Sequence, residues 1–130
     1  MASRGITFFT DWTSPLPLLA VALHSLEKFY QGEIHVLYGE NTPPFFIEEL
    51  KQNKRIGASL FILPYEKVEW VNAVWRKCWY LKPIIHKSAP FDLNMVYDCD
   101  HVFVGDFDES IFDLDQKWIQ RNRQIGRAHV

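Results

Sequence analysis

Four short β-prone apolar runs, separated by segments of helical periodicity, constrain this chain more than any other feature. Ile6-Thr7-Phe8-Phe9 is the first run, and it ends in the polar loop Thr10-Asp11-Trp12-Thr13. Ser14-Pro15 then reads as a helix N-cap followed by proline at the first helical position. Behind it Leu19, Ala22, Leu23, Leu26 and Phe29 recur at three- and four-residue spacing, which predicts an amphipathic helix. Ile34 to Tyr38 is the second run. Asn41-Thr42-Pro43 predicts another capped, proline-led start, for a helix with Phe46, Ile47 and Leu50 on one side. Lys51 to Arg55 reads as a solvated helix end and Gly57 as a breaker, before a third strand over Ser59 to Leu63. A helical region is expected from about Val68 to Ser88, kinked or divided at Pro83. Leu93 to Tyr97 is the fourth strand, and it runs straight into Asp98-Cys99-Asp100.

The order β-α-β-α-β-α-β implies an α/β fold: a Rossmann-like, mainly parallel sheet with helices on both faces. Open sheets of this kind collect ligands outside the carboxyl ends of their strands. Three polar clusters fall at such ends: Thr10-Asp11-Trp12, Gly39-Glu40-Asn41 and Asp98-Cys99-Asp100. Composition narrows the partners. A net charge of −2 gives no basic field for nucleic acid or anionic lipid. The longest uncharged run, Trp12 to Leu26, is too short and too broken by Pro15, Pro17 and His24 to span a bilayer. Two cysteines build no disulfide framework, so the expected location is cytoplasmic.

Asp98 and Asp100 are separated by one residue at a strand end. Were the strand to continue through them, both carboxylates would lie on one side. Like charges that close repel unless a cation sits between them or one takes a proton. Hard oxygen ligands at this spacing suit Mg²⁺ or Mn²⁺, which keep positions free for substrate phosphates. A polar turn closing a strand has the same pattern.

The stretch from Val96 to Phe112, an apolar strand, Asp-x-Asp, the β-prone run His101-Val102-Phe103-Val104 and an Asp-rich turn, resembles the metal-binding region of GT-A fold glycosyltransferases. It is most similar to those of glycogenin-like or family-eight character. The resemblance extends upstream to Lys82, in Trp79-Tyr80-Leu81-Lys82-Pro83, and to the loop after the first strand. It implies transfer of a sugar from a nucleotide-diphospho-sugar, a UDP-sugar above all, to an unknown acceptor. On that resemblance Asp100 would be the main metal ligand for Mn²⁺ or Mg²⁺. Asp98 would contact the ribose and the metal, and Lys82 would set a positive charge by the phosphates. Thr10 and Asp11 would belong to the base-holding loop, with Asp11 accepting a hydrogen bond from the base and Trp12 offering a stacking face. Cys99 and Gly105 depart from the family pattern, where a small residue such as alanine and a bulkier residue are usual.

Other residues carry plainer expectations. In an extended chain His101 would point away from Asp100, so it is left out of the ligand set. Trp70, Trp75 and Trp79 predict a packed helix face rather than a sugar platform. His24, His35 and His86 are expected to be structural. The alternatives are a GT-A-like domain that binds nucleotide or serves as a scaffold without transferring sugar, and a haloacid-dehalogenase-like phosphatase. The latter places its Asp-x-Asp after the first strand and follows it with threonine and glycine. A nicotinamide enzyme lacks its Gly-x-Gly-x-x-Gly after the first strand.

Beyond Asp115 the pattern loses register. Ile-Gly-Arg-Ala-His-Val back-translates to a common sequencing adapter, so residues 124–130 are expected to be a non-native tail. Residues 1–123 would then be the partial GT-A nucleotide-sugar-binding domain. The chain would be C-terminally truncated, with the catalytic residues of the transfer step outside it and no transferase activity on its own.

Overall fold

A computed structural model describes residues 3–11, 16–105 and 112. Trp12, the Ser14-Pro15 cap, the Asp-rich turn after Gly105 and the C-terminal tail lie outside the described residues. The elements run β1 (Arg4–Thr10), α1 (Leu16–Phe29), β2 (Glu33–Tyr38), α2 (Pro44–Gln52), β3 (Ile56–Leu60), a 3-10 turn (Tyr65–Val68), α3 (Val74–Tyr80), α4 (Lys82–Ser88) and β4 (Leu93–Tyr97). The strands form one all-parallel sheet in the order β3-β2-β1-β4. This is the expected α/β architecture.

The order explains the layers. From β1 through β2 to β3 the chain steps steadily outward, and right-handed crossovers then place α1 and α2 on one face. The next crossover returns past β1 to β4, so its helices fall on the other face. The two cores follow this division. Ile6 and Phe8 of β1 pack with Leu19, Leu23 and Leu26 of α1 and Phe46 of α2. Phe9, one residue on and therefore on the opposite face, packs with Val71, Cys78, Leu81 and Ile85. Covered on both sides, β1 is buried from Gly5 to Thr10, which is why it reads as a near-continuous apolar run. Phe112 is buried in the first core. Among the described residues β4 pairs only with β1 and forms one edge of the sheet. No described helix is long and apolar enough to cross a membrane.

Several local expectations are corrected. β3 begins at Ile56 rather than Ser59, and Gly57 lies inside it. A side chain at Gly57 would meet the His35 ring, which passes over it to bring Nε2 2.8 Å from Ser59 Oγ. Arg55 is not a free surface charge. Its guanidinium donates to the Glu27, Tyr30 and Gly32 carbonyls and so caps the C-terminal end of α1. The long third helix is broken into a 3-10 turn and two short helices. α4 begins at Lys82, with Pro83 in its first turn, after a break at Leu81, and α3 begins at Val74 rather than Val68. Residues 101–104 do not form a further strand.

Candidate metal and nucleotide site

The reversal of strand order falls between β1 and β4, and in open α/β sheets the crevice outside the carboxyl ends at such a point receives ligands. A cavity of about 470 Å³ opens there. Phe9, Ile85 and Val96 line its apolar part; Lys82, Asp98 and Asp100 line its charged part. Lys82, the first residue of α4, reaches across to place Nζ 3.0 Å from Asp98 Oδ1. The structure thus brings Lys82, Asp98 and Asp100 together.

β4 ends at Tyr97, and Cys99-Asp100 forms a turn. The alternation used to set His101 aside stops with the strand. His101 swings back to the acidic pair, its ring edge-on to Tyr97 at 5.1 Å. Asp98, Asp100 and His101 each present one ligand atom, all within 4.8 Å of one another. Two carboxylate oxygens and an imidazole nitrogen, all on exposed residues, are ligand types that could hold a divalent cation, the carboxylates being of the kind that suits Mn²⁺ or Mg²⁺. The signal for His101 was its position directly after the pair.

Cys99, between the two aspartates, lines the same cavity and packs against the core of the sheet. Its thiol donates to the Phe9 carbonyl at 3.1 Å, fastening the turn to β1. Burial first, then the charges of Asp98 and Asp100 and the neighbouring Cys78, push this thiol up to about 12. At neutral pH it is held as a neutral thiol.

The loop after β1 behaves differently from the acidic pair. Thr10 and Asp11 are completely buried and do not line the cavity. Asp11 accepts hydrogen bonds from the Asn41 backbone N–H at 2.8 Å and from Asn41 Nδ2 at 3.4 Å. The Thr10 carbonyl accepts from the Gly39 N–H and from Thr42 Oγ1. Asn41 and Thr42, read from sequence as helix caps, instead bind the β2–α2 loop to β1, and α2 takes Pro43 as its N-cap. Burial raises the Asp11 pKa, with Glu40 adding to it, against the lowering effect of the Asn41 hydrogen bonds.

The tryptophans overturn the expected packed face. Trp70, Trp75 and Trp79 are 67%, 56% and 59% exposed, and Trp75 and Trp79 line the cavity. Four residues apart on α3, they share one side of the helix. Periodicity marks a helix stripe but does not say whether it meets a core or a cavity.

No protein-family model matches this chain, and no curated protein matches it.

Proposed function

We propose that this chain forms the nucleotide-sugar-binding part of a metal-dependent glycosyltransferase of the GT-A type. The observation that carries the reading is the meeting of Lys82 with Asp98, Asp100 and His101 at the mouth of a cavity beside the strand-order reversal. An acidic pair there would bind little that is anionic by itself; an acidic pair with a cation and a lysine binds a diphosphate. Asp98 and Asp100, with His101, would hold Mn²⁺ or Mg²⁺, and a divalent ion there would supply charge stabilisation to a departing nucleoside diphosphate. Lys82 would offer a second positive charge to the phosphates. Two free thiols suit a reducing, cytoplasmic setting.

Titrating the protein with UDP in the presence and absence of Mn²⁺ tests the nucleotide part of this reading. Metal-dependent binding is expected, and the absence of UDP binding with Mn²⁺ present would overturn it. Incubation with UDP-sugars and Mn²⁺ adds a check in one direction: release of UDP would exclude a domain that only binds nucleotide or serves as a scaffold.

A further inference from the structure

The sequence resemblance puts the nucleobase on the loop after β1, but Asp11 there is completely buried and its carboxylate is taken up by Asn41. The cavity itself has a different aromatic surface. Trp75 and Trp79 line it on the α3 side, each more than half exposed. The Arg76 guanidinium lies 6.0 Å from the Trp75 ring centre, and the Trp79 and Tyr80 ring centres are 6.1 Å apart. Tyr80 in turn meets Trp70 edge-on at 4.8 Å. Leu18 of α1, also half exposed, lines the same cavity. Two indoles held open to a cavity whose other part carries Lys82 and the acidic pair match a ligand with a planar ring at one end and phosphates at the other.

We infer that Trp75 and Trp79 form the stacking wall for the nucleobase of the bound nucleoside diphosphate. The inference rests on the proposed nucleotide site and adds where the base lies. The base presents its π face to the indoles, while its phosphates extend to Lys82 and the cation. Stacking of a base on an aromatic side chain changes affinity by roughly ten- to hundred-fold.

The test compares UDP, pyrophosphate and glucose 1-phosphate binding, with Mn²⁺, in the wild type, Trp75→Ala/Trp79→Ala and Trp75→Phe/Trp79→Phe. The wild type is expected to hold UDP more tightly than pyrophosphate. The alanine pair should close that gap, weakening UDP roughly ten- to hundred-fold and leaving pyrophosphate unchanged. The phenylalanine pair should restore most of it. A gap that persists in the alanine pair overturns the inference and leaves the proposed function standing. Equal weakening of glucose 1-phosphate also overturns it, because the wall would then serve the sugar. If the wild type binds no UDP, the proposed function falls and this inference with it. Circular dichroism of both variants confirms that the fold is retained, as expected for side chains this exposed.

Discussion

Lys82 Nζ lies 3.0 Å from Asp98 Oδ1, joining the first residue of α4 to the residue just past β4. The two side chains are 39% and 59% exposed, so the pair is a surface ion pair worth about 0–1 kcal/mol to stability. Its value lies in position: the lysine occupies the carboxylate that a divalent ion would take.

Lys82→Met should therefore separate stability from binding. The urea midpoint is expected to move little, while Mn²⁺ alone binds severalfold more tightly because no ammonium competes for Asp98. UDP binding with Mn²⁺ present should weaken roughly ten-fold, since a charge-assisted contact to phosphate is lost. Calorimetric titration of both ligands reads each effect. A large stability loss, or unchanged UDP affinity, would count against the placement.

Asp11 should make stability fall as pH rises. Burial raises its folded pKa above the ordinary 3.8, so the folded state holds the proton more tightly than the unfolded chain does. Its contribution is fully present below 3.8 and is lost as pH rises through the folded value. Asp11→Asn keeps the acceptor for the Asn41 N–H and removes the titration. Urea unfolding across pH 4–8 should show the wild type losing stability relative to Asp11→Asn as pH rises. A constant difference would contradict the burial argument.

Gly39 permits the same clamp. A β-carbon at Gly39 would overlap the Asp11 carboxylate, which is buried and hydrogen-bonded and has nowhere to move. Gly39→Ala should cost about 2 kcal/mol in urea unfolding, the range of strained or overpacked sites. Recovery of most of that loss by Asp11→Ala in the same chain would confirm the cause.

Cys78 and Cys99 should be poorly reactive. Burial, chiefly, pushes both thiols up to about 12, so the thiolate is scarce at neutral pH. With EDTA present at pH 8, alkylation should be slow for the folded protein and fast after denaturation. Rapid labelling of two thiols in the native state would contradict the packing of both.

Much of the frame was legible because it rests on local chemistry. Leu93 to Tyr97 is a strand that stops at the first charged residue, and the structure gives the same bounds. Lys82 was singled out by the resemblance alone; the break at Leu81, which sets the start of α4 beside the end of β4, is what brings it to Asp98. What escaped depends on contacts between distant segments. Asn41 and Thr42 have cap chemistry, but they donate instead to Asp11 and to the Thr10 carbonyl, and no side chain caps the start of α2. Gly57 looked like a breaker, yet inside β3 it makes room for His35. His101 comes near the acidic pair because the turn at Cys99-Asp100 ends the strand alternation. The tryptophan stripe was visible; the cavity it faces exists only once α3 and β4 are assembled.

On the proposed function the acidic pair past β4 binds nucleoside diphosphate through a divalent ion. Calorimetric titration of UDP into the wild type and Asp100→Ala, each with Mn²⁺ and with EDTA, tests it most directly. Wild-type affinity should rise at least ten-fold with Mn²⁺, the scale of one charge-assisted contact, and Asp100→Ala should bind no better with the ion than without it. UDP affinity that is the same in Mn²⁺ and EDTA, or is unchanged by Asp100→Ala, would contradict the account.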